Sequence, residues 1–245
     1  MKRRNVLAGL GALITGGCTK IGQTEWFGDV VDGAEKLSRG AHRMLGARPT
    51  MAREFSVADI SPYFRGNGNT EIDSDAYRAQ LASGFPDWRL EVRGLVDRPL
   101  SLSLEQIRAL PQRTQITRHD CVEGWSAIGQ WTGPRLSTIL GQAGLKPEAK
   151  FAVFRCADSF GKAPYYESCD LDDALHPQTL IAHQLNGEPL PERNGAPLRL
   201  RIERQLGYKH AKYLTAIELV DSLDGIEGGG GGYWEDRGYQ WYAGV

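Results

Sequence analysis

Between Thr117 and Ser126 the chain reads Thr-Arg-His-Asp-Cys-Val-Glu-Gly-Trp-Ser, setting one thiol among two bases and two carboxylates. A glycine and an aromatic follow at once. Charged and reactive groups at this density must be held in place by a scaffold built from the rest of the chain. Arg118 and His119 would favour a Cys121 thiolate, while Asp120 and Glu123 would oppose it. A thiolate can ligate a soft metal or attack an electrophile, and a lone cysteine can equally be a small buried hydrophobe. Spacing alone leaves all three open.

The scaffold around this stretch reads as many strands and a few short helices. Trp88, Leu90 and Val92 alternate with Arg89, Glu91 and Arg93, the pattern of a half-buried strand. Ser103 with Gln106 is a capping box that starts a helix running to Leu110, stopped by Pro111. Residues 112–117 form a strand that delivers the Cys121 loop. Pro134 opens and Gly144 closes a helix with Leu136, Ile139 and Leu140 facing inward. Shorter helices are expected at Ala34–Leu45, Asp75–Ala82 and Asp170–Leu175, and a short apolar element at Thr179–Leu185. Further strands are expected at Lys150–Cys156, Leu198–Glu203 and Tyr213–Val220. The expected class is α+β, a mixed sheet with short helices and no internal repeat.

A formal net charge of −1 gives no global field for nucleic acid or an anionic membrane, so any anion must be recognised by a local cluster. One such cluster lies at Gly195–Thr215, where Arg199, Arg201, Arg204, Lys209 and Lys212 stand against Glu203, with His210 in the same run. The Gly207–Lys212 portion suits a loop holding a phosphate. A solvated strand face is the competing reading. At the C-terminus, the Gly228–Gly232 run leads into a dense aromatic segment, expected to pack back on the body or, second, to line a substrate pocket. Ser61–Thr70 is a turn-rich loop, either surface or able to bring its backbone and Arg65 to a ligand.

The first 18 residues read as an address. Arg3-Arg4 precedes the uncharged run Val6–Gly17, which is too short to span a bilayer and suits a twin-arginine export signal. Cys18 after Gly16-Gly17 is a candidate lipid attachment point, which would associate the chain with the membrane. The expected location is the periplasm. Residues 19–54 form an extension and 55–245 the catalytic domain. The cysteines at 18, 121, 156 and 169 form neither C-x-x-C nor C-x-x-C-H, so no c-type haem is expected, and a Cys156–Cys169 disulfide stays open.

His119–Ser126 resembles the corresponding segment of the sulfite oxidase-type molybdopterin oxidoreductases, nearest the bacterial periplasmic branch that includes the methionine sulfoxide reductase catalytic subunit. Trp131-Thr132-Gly133-Pro134 follows at the family's distance. Leu190-Pro191, Asn194–Arg199, Gly207–Lys212 and Gly232–Tyr239 continue the ordered series. The resemblance implies that Cys121 supplies a thiolate to molybdenum. It implies also that Asn194, Arg199, His210, Ala211 and Lys212 hold the pterin and its phosphate. Arg65 and Asn67 fall at an early pterin-contacting loop, Cys156 where the branch has a threonine at the cofactor, and Glu123 beside the metal. It further implies a separate cytochrome or membrane haem protein as redox partner. The family's C-terminal dimerisation domain and a haem domain are expected to be missing. The Cys-Val-Glu-Gly-Trp context differs from that of animal and plant sulfite oxidases, and the Asn67 loop differs from the sulfoxide reductases. Two rival readings are a thiol-dependent hydrolase or transferase using Cys121 with His119, and a cofactor-free envelope binding protein.

Overall fold

A computed structural model describes residues 24–45 and 50–245, so the expectations for the first 18 residues, Cys18 included, lie outside the described residues. The chain divides into two compact units, residues 1–47 and 48–245. In the first, one helix spans Glu25–Leu45, longer than the Ala34–Leu45 expected. Phe27, Val30, Ala34, Leu37, Ala41 and Met44 recur every three or four residues along it, a helical stripe that the interspersed Gly28, Gly33 and Gly40 obscure in sequence. Among the described residues no helix is long and apolar enough to cross a membrane.

The second unit is built on eleven strands: β1 (Arg89–Gly94), β2 (Leu100–Ser103), β3 (Gln112–Cys121), β4 (Trp125–Pro134), β5 (Phe151–Phe160), β6 (Ala163–Asp170), β7 (Leu180–Ala182), β8 (Gln184–Leu185), β9 (Glu188–Pro189), β10 (Arg199–Arg201) and β11 (Leu214–Val220). They form three sheets, in the orders β2-β1-β11-β5-β6, β3-β4-β8-β9 and β10-β7. Only the β1–β11 pairing is parallel. The mixed α+β architecture matches the expectation. The helices Asp75–Ala82, Leu104–Ala109 and Leu136–Ala143 fall close to where they were expected, although Pro134 ends β4 and does not open the last of them, which starts at Leu136 with Arg135 as its N-cap. Ser103 and Gln106 close their capping box, and Gly144 ends its helix at φ 72°.

Two long strands, besides the short β2 and β9, were not expected. β4 pairs with β3 through all ten residues, from Gln112 opposite Pro134 to Cys121 opposite Trp125. β3 accordingly runs through Cys121 itself, not stopping at Thr117. β6 pairs with β5 and carries Tyr166, Glu167, Ser168 and Cys169 into the interior. In β4 glycines at the inward positions 129 and 133 hide the period-2 pattern, and in β6 the buried Glu167 and Ser168 do. The β5–β6 register settles the disulfide question. Cys169 faces Ala152, four residues along β5 from Cys156, a separation on the order of 13 Å that is too long for a disulfide.

Residues 50–54 already belong to the second unit. Glu54 bridges Thr117 of β3, and the Ala52 backbone exchanges hydrogen bonds with Gln178 at 2.7 and 3.0 Å. The core is continuous, with Leu90, Val92, Trp131, Leu136, Ile139, Leu140, Phe154, Leu200 and Ile217 among its fully buried members.

Gly133 marks the closest approach of β4 to β7. A Cβ there would overlap the Ile181 carbonyl, with the Ile181 carbonyl carbon 2.7 Å away and the Ala182 Cα at 2.8 Å. Backbone on the far side cannot rotate aside. Gly133→Ala should therefore destabilise the unit by at least about 1–3 kcal/mol, read as a lowered denaturation midpoint; an unchanged midpoint would contradict the close packing.

Candidate functional site

Cys121 is the last residue of β3, and a three-residue turn leads back into β4. Gly124 takes φ 84°, a left-handed conformation that favours glycine, and donates its N–H to the Cys121 carbonyl at 3.0 Å. Cys121 is half-buried at the tip of a rigid hairpin. Burial raises its thiol pKa above the ordinary value, eased by the Glu123 backbone N–H and by Arg199 but reinforced by the Glu123 charge. Left to itself, the group is a thiol.

The neighbours expected to favour the thiolate do not. Arg118 points to the opposite face of β3 and pairs with Asp120 at 2.9 Å. His119 is buried on the Cys121 face, where burial and then Arg201, Arg199 and Lys212 hold its pKa well below the usual imidazole value. Its Nδ1 accepts from Arg201 Nη1 at 2.9 Å, which leaves the ring hydrogen on Nε2. Nε2 packs against Gly207, where a Cβ would come within 2.5 Å of it. Neither ring nitrogen is free to take a proton from Cys121, which removes the base that the hydrolase reading requires.

The cationic cluster is not a solvated face. Arg199 and Arg201 are fully buried, lying 4.9 and 4.3 Å from the ring centre of Trp131. Three of the five cations are neutralised by carboxylates: Arg201 by Glu203, Arg204 by Asp173, and Lys209 by Glu167 and Glu235. Arg199 and Lys212 instead touch carbonyl oxygens. Arg199 donates to Asn194 O at 3.0 Å and His210 O at 3.4 Å; Lys212 donates to Arg193 O at 3.2 Å and also to Asn69 O. Burial, then the charge of Arg199, lowers Lys212 to about 7 despite the nearby Asp158. These two are buried cations without a carboxylate hydrogen-bond partner.

A cleft with about 160 Å³ of internal space opens beside Cys121. Of the residues singled out in the sequence, Asn67, Cys121, Glu123, His210 and Lys212 line it. Asn194, Arg199, Ala211 and Cys156 stand behind the wall, and Arg65 is exposed, offering only its carbonyl to Asn194 Nδ2 at 3.1 Å. The remaining wall includes Asp158, Phe160, Tyr165, Tyr208, Trp234 and Tyr239. Trp234 and Tyr239 stack at 5.3 Å, so the C-terminal segment both packs on the body and lines the cavity. Nothing in the sequence pattern around Asp158 or Tyr165 separated them from ordinary strand residues.

Six buried polar atoms in this neighbourhood have no protein partner: Asn67 Oδ1, His119 Nε2, Asp158 Oδ1, Asn194 Oδ1, Arg199 Nε and His210 Nδ1. Buried polar groups are rarely left unpaired, and six together mark a place completed by a ligand. The mixture of donors and acceptors, with two uncompensated cations, fits a polar heterocycle carrying an anionic group, as a pterin phosphate does. Among the described residues no group of three or more His, Cys, Asp or Glu side chains could hold a metal ion.

The known proteins agree with this geometry. Residues 79–224 match the oxidoreductase molybdopterin binding domain. A putative protein-methionine-sulfoxide reductase subunit of Azospira oryzae is 44% identical over 72% of this chain and 62% of its own length. The protein-methionine-sulfoxide reductase catalytic subunit of Xanthomonas axonopodis is 33% identical over 61% of this chain and 50% of its own, and that of Gluconobacter oxydans 39% over 55% and 47%. The chain thus spans about half to three fifths of these relatives. The fold also resembles the sulfane dehydrogenase SoxCD of Paracoccus pantotrophus, with a TM-score of 0.52 at 24% identity over 56% of this chain and 39% of that one. This chain belongs to the sulfite oxidase-type family of molybdopterin-binding oxidoreductases.

Proposed function

We propose that the chain is a periplasmic molybdenum–molybdopterin oxidoreductase that transfers an oxygen atom to or from a small sulfur substrate, reduction of a sulfoxide being the favoured direction. The observation that carries this reading is the convergence of Arg199, Lys212 and six unpartnered buried polar atoms around Cys121. When bound, the cofactor would supply a two-electron redox centre cycling between Mo(VI) and Mo(IV), with Lewis acidity.

The protein's own residues do the rest. Cys121 would hold the metal through its sulfur, losing its proton as it does so, and the rigid hairpin fixes where that sulfur sits. Lys212 and Arg199 would hold the phosphate, with Asn194, His210 and Asn67 on the pterin. The Asn67 and Asn194 amides are already oriented by donating to Gly207 O at 3.3 Å and Arg65 O at 3.1 Å, leaving their oxygens free. Ala211 contributes backbone, accepting from Leu200 N at 2.8 Å, and so ties the pterin loop to β10. Glu123 at the cavity edge accepts from Trp125 Nε1 at 3.0 Å, which aims its carboxylate along the wall where a proton would be exchanged. Phe160, Trp234 and Tyr239 offer aromatic surface to a thioether or sulfoxide sulfur. The methionine-sulfoxide reductase names of the relatives support the substrate class, and their description as subunits supports a second chain, to which we assign the role of haem-type electron donor. Arg3-Arg4 and the apolar run after it support export.

Two outcomes test this reading. Cys121→Ser should abolish both molybdenum retention and reduction of a small sulfoxide by an artificial electron donor, with the thermal midpoint preserved; retention of metal and turnover would refute it. Lys212 stands at about 7 in the free protein, so above that pH an arriving phosphate must draw in a proton. Metal-free pterin phosphate should therefore bind with proton uptake at mildly alkaline pH and without it at mildly acidic pH, seen as a buffer-dependent heat of binding. Lys212→Met should remove that uptake and weaken binding by about 10-fold or more. By the same linkage, the free protein should gain stability as pH rises from about 7 towards the ordinary lysine value, because only the unfolded chain holds the proton there.

A further inference from the structure

Against the cavity wall lies a buried cluster with no role in holding the cofactor. Glu167 on β6, Lys209 in the turn Gly207–Lys209 and Glu235 in the turn Glu235–Arg237 have side chains no more than 1% exposed. Lys209 Nζ lies 2.9 Å from Glu167 Oε2 and hydrogen-bonds Glu235 Oε1. A Cβ at Gly232 would strike both Glu235 and Glu167 Oε2, so the two acids crowd the same backbone point. One ammonium cannot neutralise two buried carboxylates; the cluster balances only if one acid keeps its hydrogen.

Tyr165 shows which one. Its hydroxyl oxygen is 2.7 Å from the Tyr208 carbonyl and 3.2 Å from Glu167 Oε1. A carbonyl and a carboxylate can only accept, and a phenol brings a single hydrogen. Both contacts are hydrogen bonds only if Glu167 supplies the second hydrogen. Burial agrees, raising the Glu167 carboxyl well above its usual range, with Lys209 opposing and Glu235 reinforcing the rise. Tyr165 is itself raised by burial and faces Glu167, Cys156, Glu235 and Asp158, so it is a poor site on which to leave a charge but a suitable carrier. Tyr165 also lines the cavity beside Cys121.

We propose that Glu167 stores a proton that Tyr165 delivers into the cavity. The Tyr165 O–H bond breaks as its hydrogen bonds to the oxygen leaving a substrate; the Glu167 hydrogen passes to the tyrosine oxygen, leaving two carboxylates on Lys209 only until Glu167 takes a proton back. Reducing a sulfoxide to a thioether and water consumes two electrons and two protons. The electrons come from the haem-type donor, the relay gives one of the two protons and cavity water the other, and solvent returns a proton to Glu167 through the same tyrosine. The inference rests on the oxygen-transfer reading above.

The test uses the full chain with Glu167→Gln and Tyr165→Phe. Infrared difference spectra of the metal-free protein near neutral pH should show the carbonyl stretch of a neutral carboxylic acid, absent in Glu167→Gln and kept in Tyr165→Phe. In loaded enzyme both variants should lose about 100-fold in kcat with little change in KM or molybdenum content, the loss shrinking as pH falls. Absence of the band from the parent protein, or parental turnover by Tyr165→Phe, would overturn the relay. Because the infrared measurement needs no cofactor, failure to bind molybdenum would count against the oxygen-transfer reading while the band still decides the stored proton.

Discussion

Two arginines on one short strand are taken out of water, and only one is given a carboxylate. Arg201 donates to both oxygens of Glu203 at 3.0 and 2.6 Å, and Gln115 adds a third hydrogen bond to that carboxylate at 2.9 Å. Arg199, two residues earlier, has only carbonyl oxygens. Trp131 lies against both guanidinium groups, its ring face partly standing in for lost hydration. Isolated buried charge is costly, so the asymmetry selects an anion at the Arg199 end. Arg201 meanwhile fixes the tautomer of His119 and keeps that ring neutral.

The same arrangement decides what Cys121 can be. A nucleophilic cysteine needs a base or a positive field at the sulfur, and here the nearest imidazole is blocked while burial and Glu123 raise the thiol. Metal coordination supplies its own driving force for deprotonation and needs neither. The ten-residue β3–β4 ladder contributes position, since every residue from Gln112 to Cys121 is paired. The sulfur is held by backbone hydrogen bonds, not by side-chain packing.

Local rules were legible wherever the chain obeyed them without interference. The Ser103 capping box, Gly144 at a helix end and the Leu90–Val92 alternation all appear as read. Trp125–Pro134 and Ala163–Asp170 escaped notice because inward glycines in the first, and the buried Glu167 and Ser168 in the second, break the apolar alternation that announces a strand. Alternating arginines at 199 and 201 invited a surface reading that burial reverses. The glycine run at Gly228–Gly232 reads as a linker, yet Gly228 and Gly230 donate their N–H groups to Asp236 at 3.1 and 2.8 Å. Which cations keep a free charge depends on partners 26 to 42 positions away in sequence for Lys209, and spacing cannot report that.

The wall formed by Trp234 and Tyr239 has a consequence for access to the sulfur. These side chains lie more than a hundred residues after Cys121 in the sequence, yet they line the same cavity. The chamber around the sulfur therefore exists only once the aromatic segment has docked on the body, and whatever loosens that segment opens the cavity.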